Sequence, residues 1–529
     1  MSYTTITFLI FLPAAGLLYY IVPKRIQWTV LLAASLAFYI LTCGKMTVFL
    51  LAATAVIYAA GLALGHLDRS FDSRRKELDR AAKKELKKKT DSKKRAVVLV
   101  SVILIVLMIF CTKYFNFFGD IINSITNAIA HSRPVPALQL LMPLGISYYT
   151  LMGISYIVDV YRKTVKPEKN PLMLMLFLCY FPHIVEGPFD RYDSLCSQLR
   201  APHHIDYQKI KSSGIRLVWG FFKKLVIADR AGLIVSAVFA EPGIYSGSVQ
   251  LLAVILYTLQ IYAEFSGCMD IVCGASGMFG IDIAENFRRP FFSRSISEFW
   301  RRWHITLGEW LKDYVFYPVS LSGHFRKINT FVKKHVSSGY LTALIPGAYA
   351  LFFVWFCNGL WHGASVKYIV YGLYYYVLMM LGQALRPLTG RLMQRLHVPA
   401  GSRAWHVFEM LRTCVIVCFG MLIFRASGLR QAASMFCSIF TNFGISQLAD
   451  GTLLFKGVTP ADYILLMTAA ALLLCISIIQ EKGISVRETI GKQCLPVRWT
   501  LYFTLIFSVI ILGAYGGSFA NTTFIYGEF

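Results

Sequence analysis

Apolar runs of about 20 residues recur along most of this chain, and each run is continuous instead of alternating with polar positions. A helix of that length crosses the hydrocarbon core of a bilayer, whereas the strands of a membrane barrel alternate. The pattern predicts an all-α, polytopic transmembrane helical protein with about eleven to thirteen spans, plus re-entrant or interfacial helices. Spans are predicted near residues 5–22, 28–43, 46–64, 96–112, 138–158, 171–187, 214–240, 250–279, 342–361, 366–385, 405–425, 461–479 and 498–514.

The composition agrees with a membrane protein. Of the 529 residues, 56% are hydrophobic and 15% are charged, and the mean hydropathy is +0.56. A soluble protein of this length would carry about 25% charged residues. No basic residue precedes the first apolar segment, and Lys24 and Arg25 follow it. We therefore expect a retained anchor followed by a cytoplasmic loop, within a single membrane domain over residues 1–529.

One hydrophilic insert, residues 66–95, holds thirteen basic and six acidic residues and contributes +7 to the formal net charge of +25. Two further crossings after Lys24 return the chain to the cytoplasmic side, so this insert is predicted to be a basic cytoplasmic loop. Its charge suits contact with anionic lipid head groups of the membrane. No aromatic platform accompanies the charge, so we expect no nucleic-acid partner.

The chain lacks the signatures of common soluble enzymes. It contains no G-x-S-x-G elbow, no phosphate-binding Walker loop, no dinucleotide glycine fingerprint and no H-E-x-x-H motif. Its twelve cysteines are scattered without a C-x-x-C pair, so we expect free thiols and no metal site. No internal repeat is evident, which weighs against a transporter.

The segment 285–319 carries too many charges to span a membrane. Ser295 or Ser297 can cap a helix that has Glu298 in its first turn. An interfacial amphipathic helix is therefore predicted here, with His304 on the shoulder of its apolar stripe. His304 is either an interfacial histidine bonded to backbone or water, or a catalytic or substrate-positioning imidazole. The stripe recurs every three or four residues, at Trp300, Trp303, Leu307, Trp310, Leu311 and Tyr314.

His362 is the second unusual histidine. Between residues 339 and 383 the only charged side chain is that of Lys367. An ionisable group in such a segment is costly, and it persists where it pairs, lines a wet cavity or takes part in chemistry. Asn358 lies one helical turn earlier and can orient the ring. The residues alone leave two interpretations open, a satisfied core histidine or a reaction centre.

With these residues in view, the chain resembles the membrane-bound O-acyltransferase (MBOAT) family over nearly its whole length. It is most similar to the subgroup that O-acetylates alginate and peptidoglycan, through Phe424–Ser427 and the ending Phe524–Phe529. The teichoic-acid D-alanyl transfer protein is a cousin of that subgroup. The basic insert 66–95 and Glu528 depart from the subgroup pattern. The segments that carry the family resemblance are Met142–Thr150, Phe181–Tyr192, Glu264–Gly267, Glu285–Phe287, Phe299–His304 and Gly359–Gly363.

The resemblance implies an MBOAT-like funnel in a bacterial inner membrane, with His362 as the signature catalytic residue and His304 as the second site residue. It implies transfer of an acetyl group from a cytoplasmic thioester, acetyl-CoA above all, to a hydroxyl acceptor that modifies an extracellular or cell-wall polysaccharide. His362 would be the general base, and His304 would position the thioester or stabilise the oxyanion. The expected substrate-binding residues are Asn358, Trp361, Trp303 and Trp300. The tryptophans would wall the tunnel and exclude water.

No bound cofactor is expected, because the thioester is a substrate. The acceptor is expected to be a sugar hydroxyl or a serine of an extracytoplasmic partner, an acetyltransferase of the SGNH type or a related one. D-alanyl transfer to teichoic acid from a carrier protein is an alternative, and so is a covalent acyl-histidine route. A transporter or flippase of a lipid-linked saccharide, with the histidines as proton relays, is the alternative from a different class.

Overall fold

The computed structural model describes residues 2–138, 142–399, 401–454 and 458–515. Within these ranges the chain is helical apart from loops and one isolated antiparallel bridge, so the predicted all-α architecture is confirmed. The described residues divide into two compact units. The expectation of one membrane domain over 1–529 stays a prediction. The family-like ending at 524–529, with Glu528, lies outside the described residues.

The first unit comprises the residues up to Gly214 together with Val272–Ala284. Its helices are α1 Ile6–Ile21, α2 Gln27–Cys43, α3 Thr47–Arg74, α4 Arg80–Ile109, α5 Phe115–Ala130, α6 Ile146–Arg162, α7 Pro171–Cys179 and α8 Tyr192–Arg200. Helices α9, Tyr207–Phe221, and α11, Gly247–Gly277, pass from one unit into the other.

The second unit comprises Ile215–Ile271 and the described residues from Glu285 onward. The helices of this unit are α10 Asp229–Ala240, α12 Ile296–Arg302, α13 Ile305–Leu311, α14 Tyr317–Ser320, α15 Gly323–His335, α16 Gly339–His362, α17 Val366–Ala384, α18 Arg386–Arg395, α19 Arg403–Arg425, α20 Leu429–Thr441, α21 Pro460–Glu481, α22 Val486–Gly491 and α23 Leu495–Leu512. A π-helix, Phe222–Ala228, joins α9 to α10, and another, Lys312–Phe316, joins α13 to α14.

Seven helical segments in the described part of the chain are long and apolar enough to cross a membrane, or eight if α17 and α18, bent by 53°, form one span. Two of these segments, Lys24–Arg74 and Arg80–Ala130, are 51 residues long, more than twice the roughly 20 that one crossing needs. Helix α1 is also apolar, but with 16 residues it is shorter than the roughly 20 that one crossing needs. The polytopic character is confirmed, and the count of eleven to thirteen spans stays a prediction.

Prolines and a glycine mark the places where predicted spans and observed helices differ most. Of the predicted span 171–187, only α7 is helical, because the chain turns before and after Pro182. Of the span predicted at 138–158, residues 139–141 lie outside the described part of the chain, and helix α6 begins at Ile146, after Gly145 in the left-handed conformation. At Gly145 an added Cβ would lie 2.1 Å from the carbonyl oxygen of Ile184, so a side chain would not fit.

The basic insert 66–95 is helical except around residues 75–79. Helix α3 continues through Arg74, and α4 begins at Arg80 with Asp79 accepting a hydrogen bond from the Ala82 N–H. Lys94 and Lys163 both pair with Asp68, at 3.1 and 3.0 Å. The insert is thus a helical hairpin, and its cytoplasmic location stays a prediction.

Candidate active site

His362 is the last residue of α16 and lies at the turn into α17, where the two predicted spans placed it. It is nevertheless only 4% exposed. Aromatic rings from two other helices cover it: Tyr371 of α17 at 5.6 Å and Phe424 of α19 at 5.2 Å between ring centroids. Burial at a helix end therefore depends on packing by distant residues, not on depth within α16.

Glycines let α16 and α17 pack closely enough to bury that ring. A Cβ added at Gly372 would lie 2.3 Å from the carbonyl oxygen of Trp355, and one at Gly359 would lie 2.5 Å from that of Tyr368. Either contact is shorter than any ordinary van der Waals approach, so these backbones meet only because both positions lack side chains.

The predicted continuous helix through His304 is wrong. Helix α12 ends at Arg302, Trp303 is extended, and His304 adopts the left-handed conformation at φ 49° and ψ 52° before α13 begins. A left-handed residue cannot continue an α-helix, and it costs a non-glycine residue about 1–2 kcal/mol. The spacing of apolar residues predicted one helix because α12 and α13 carry the same three- and four-residue spacing on either side of the break. Ser295 is the cap of α12, accepting from the Glu298 N–H.

Backbone pairing with residues 286–288 stabilises the interruption between α12 and α13. Phe287 and Trp303 form the antiparallel bridge, and the Arg288 N–H donates to the Arg302 carbonyl oxygen at 2.9 Å. Residues 302 and 303 therefore satisfy backbone groups across the bridge. His304 is buried directly beside it, with 3% of its surface exposed.

The two histidines meet around one indole. The Trp361 ring lies 5.5 Å from the His304 ring and 5.0 Å from the His362 ring, between centroids. Phe265 contacts the other histidine, His304, at 4.8 Å. The fold thus brings the two sequence-predicted histidines, both buried, into contact with the partly exposed Trp361 in the second unit.

The other predicted site residues lie around this cluster. Asn358 is 4% exposed and lies one turn before His362 on α16. The Trp300 ring packs on Trp355 at 5.1 Å and on Tyr375 at 4.9 Å, within an aromatic group that reaches His362 through Tyr371.

Trp303 connects to this aromatic group through Phe299, whose ring also packs on Trp300 at 5.4 Å. Its ring packs on Phe299 at 5.4 Å and on Phe287 at 5.1 Å. It is 2% exposed, and its backbone forms the bridge with Phe287. Its expected role in walling a substrate tunnel stays a prediction.

Burial governs the ionisation of His304. Desolvation lowers the pKa of His304 from its usual 6.5 to about 3, because a charged imidazolium is poorly accommodated among aromatic rings. The ring is therefore neutral near pH 7, with one N–H donor and one nitrogen acceptor.

Buried lysines anchor the helix that carries Phe265. Lys224, in the π-helix after α9, is bonded to Glu264 at 2.8 Å and to Asp229 at 2.9 Å, and all three side chains are nearly inaccessible. π-helices are rare and often mark functional segments. Removing one member of such a group leaves an uncompensated buried charge, which is strongly destabilising.

The preceding lysine, Lys223, also binds side chains of α11. Lys223 pairs with Asp270 at 2.7 Å and donates to the Ser266 hydroxyl at 3.0 Å. Phe265 lies between the two lysine-bound positions of α11, so these ion pairs fix the ring that touches His304.

Sequence analysis gave no role to three rings that touch the histidines. Phe265 and Phe424 lie in segments that carry the family resemblance, so a signal was present although no role followed from it. Tyr371 had no signal, because an aromatic residue in an apolar span is ordinary. Among the described residues no group of three or more His, Cys, Asp or Glu side chains is arranged to hold a metal ion.

Known proteins match this chain over long stretches of its length. The sequence model of MBOAT, the membrane-bound O-acyltransferase family, matches residues 163–332, a range that includes His304 and ends before His362. The probable alginate O-acetylase AlgI of Pseudomonas aeruginosa is 33% identical over 442 residues, which cover 83% of this chain and 75% of that protein.

Two other relatives modify cell-wall polymers. The teichoic acid D-alanyltransferase of Bacillus subtilis is 32% identical over 259 residues, 47% of this chain and 62% of that protein. The peptidoglycan O-acetyltransferase of Helicobacter pylori is 28% identical over 306 residues, 53% of this chain and 54% of that protein.

Proposed function

Because the chain belongs to the membrane-bound O-acyltransferase family, we propose that it transfers an acetyl group from a thioester donor to a hydroxyl group during modification of an extracellular or cell-wall polysaccharide. The names of the alginate and peptidoglycan relatives support an acetyl group and a polysaccharide destination. Its many apolar helices make it a multi-pass membrane protein, as the family expects.

The observation that carries the mechanism is the contact of the buried rings of His304 and His362 with the same indole, that of Trp361. The two histidines are 58 positions apart in sequence, so only the fold unites them. Two imidazoles in one low-polarity cluster suit proton transfer together with hydrogen bonding to a developing charge.

His362 is the general base in this proposal. It removes the proton of the acceptor hydroxyl as that oxygen attacks the thioester carbonyl carbon. The C–S bond then breaks, and the proton passes from the imidazole to the departing thiolate. The products are an acetyl ester and a free thiol. General-base catalysis of this kind contributes about 10²–10⁴-fold in rate.

His304 stabilises the oxygen that becomes negative during the attack. Because its pKa is lowered to about 3, its ring is neutral and offers a single N–H donor. Asn358 orients His362, and Trp361, Trp303 and Trp300 restrict water, which would otherwise compete as a nucleophile.

The donor is a cytoplasmic acyl thioester, acetyl-CoA in the simplest case. The acceptor is either the polysaccharide hydroxyl itself or a serine of an extracytoplasmic acetyltransferase partner of the SGNH type or a related one. A D-alanyl thioester is the second candidate donor, and the 32% identity to a teichoic acid D-alanyltransferase is the observation that favours it.

The donor is tested with the purified protein in lipid nanodiscs. Radiolabelled acetyl-CoA and a radiolabelled D-alanyl carrier-protein thioester are supplied separately, and thiol release is followed with and without polysaccharide. We expect thiol release from acetyl-CoA that rises when acceptor is added. Release from the D-alanyl thioester alone would replace acetyl transfer by D-alanyl transfer. Movement of a lipid-linked saccharide without consumption of either thioester would contradict acyl transfer altogether.

A further inference from the structure

Asn286 accepts hydrogen bonds from the two residues that directly follow the αL residue His304. Its carbonyl oxygen accepts from the Ile305 N–H at 3.1 Å. Its side-chain oxygen accepts from the Thr306 N–H at 3.0 Å and from the Thr306 hydroxyl at 2.7 Å. Asn286 is 1% exposed and Thr306 is 4% exposed, so these bonds are shielded from water. Asn286 thus accepts three hydrogen bonds from the first two residues of α13.

The chemistry of the partners fixes the orientation of this amide. A backbone N–H can only donate, so the atom that faces Thr306 must be the amide oxygen. The amide nitrogen then points at the sulfur of Met269, 3.2 Å away. A thioether is a weak acceptor, so the bonds to Thr306 carry most of the restraint.

These bonds replace the cap that α13 otherwise lacks. A helix leaves its first N–H groups without partners in the helix, and a polar side chain at the position just before the helix usually binds them. That position is occupied by His304, whose side chain makes no capping hydrogen bond. Asn286 takes over that task from a segment 18 positions away, so the imidazole is left for other contacts.

Ion pairs hold the segment that carries Asn286. Arg216 binds both carboxylate oxygens of Glu285, each at 2.6 Å, and also binds Asp270 at 2.7 Å. A bidentate arginine pair is geometrically specific as well as strong. Asp270 lies on α11, the helix that presents Phe265 to the His304 ring. Helix α11 therefore restrains both parts of His304: it contacts the ring through Phe265, and it is linked to the Asn286 segment through Asp270 and Arg216.

We propose that Asn286 is a positioning residue for acyl transfer: it holds His304 in the left-handed conformation that directs the imidazole toward the reacting carbonyl. The inference rests on the proposed role of His304. It differs from a purely structural role because it requires Asn286 to act on turnover only through that imidazole.

A double-mutant cycle measures this dependence. Asn286→Ala is expected to lower kcat about 100-fold, the size of effect that a 1 Å misplacement of a reacting group can cause, with little change in the KM for acetyl-CoA. In a His304→Ala background the same substitution is expected to cost less than about twofold more, because the imidazole it positions is already gone.

Thr306 supplies matched variants that disturb the fold less. Thr306→Val keeps the shape and the backbone bond but removes the hydroxyl bond, and we expect kcat to fall about tenfold. Thr306→Ser keeps the hydroxyl and is expected to restore kcat to within about twofold of wild type. Size-exclusion profiles and thermal midpoints in detergent identify any variant that fails to fold, and the Thr306 pair then decides alone.

The outcomes separate the two claims. Loss of kcat in His304→Ala together with a full additional loss from Asn286→Ala overturns the positioning role and leaves the proposed function standing. Wild-type kcat in His304→Ala overturns the positioning role of Asn286 together with the oxyanion role of His304, and leaves acetyl transfer with His362 as the base standing. Equal kcat in Thr306→Val and Thr306→Ser contradicts the positioning role irrespective of the Asn286 variants.

Discussion

His304 combines a left-handed backbone with nearly complete burial among aromatic rings. Residues held in this conformation persist only where the surroundings over-determine them, and they cluster at functional sites. Here the bonds from Asn286 and the Phe287–Trp303 bridge supply that over-determination. At the residue scale, the site contains a histidine in a strained backbone conformation. Its backbone is fixed by Asn286 and the bridge, and its side chain does not cap α13.

The ionisation of His304 yields a prediction about pH. An imidazole is protonated only below its pKa, so a pKa lowered to about 3 leaves His304 neutral between about pH 5 and pH 9. Its titration therefore cannot produce the acid limb of kcat/KM. We expect His304→Gln, which keeps an N–H donor, to lose about tenfold in kcat and His304→Ala about 100-fold, with the acid limb unmoved in both. Rate measurements across that pH range test this, and disappearance of the acid limb in His304→Gln would contradict it.

Both histidines could be singled out as candidate site residues from sequence, but the backbone conformation of His304 could not be predicted. An ionisable side chain in an apolar or aromatic stretch is visible residue by residue. The break at His304 depends on pairing with residues 286–288, which the local three- and four-residue spacing of the tryptophans cannot reveal.

Helices α16 and α17 form the element on which His362 depends. They pack tightly at Gly372, which faces the carbonyl oxygen of Trp355 and directly follows Tyr371, one of the rings in contact with His362. The spans themselves were predictable to within three residues, because apolar runs of this length are unambiguous. The burial of a helix-end histidine was not, because it arises from contacts between helices.

Gly372 gives a prediction at this scale. Gly372→Ala should destabilise the helix pair by about 1–3 kcal/mol, because the added methyl group overpacks against backbone. Gly382→Ala on the same helix is the matched control, since nothing lies within 4 Å of the methyl group it adds. That control should be neutral or stabilising by up to about 1 kcal/mol. Thermal unfolding midpoints in nanodiscs compare the two, and equal midpoints would refute close packing at Gly372.

At the scale of the whole molecule, the proposed chemistry lies in the second unit. That unit supplies both histidines, the shared indole of Trp361 and the buried lysine-carboxylate groups beneath Phe265. Helices in both units expose apolar side chains: only 11% of the most apolar stretch of Arg80–Ala130, and likewise of α23, is buried. A bilayer is the solvent that suits such faces, in agreement with a multi-pass membrane enzyme.

Fold class and membrane character could be read from composition and from apolar runs, because both are properties of the chain taken locally. The meeting of segments around residues 304 and 361 could not, because it is set by long-range packing of α11, α16, α17 and α19. Family resemblance named the two histidines, and the structure adds that a single indole contacts both.

The central claim, that His362 is the base of an acyl transfer, is tested most directly by acetyl transfer from radiolabelled acetyl-CoA in nanodiscs. His362→Ala is compared with His335→Ala, which alters an exposed histidine stacked on Phe331. We predict a rate about 10²–10⁴-fold below wild type for His362→Ala and an unchanged rate for His335→Ala. Acetyl transfer by folded His362→Ala at the wild-type rate would contradict the claim.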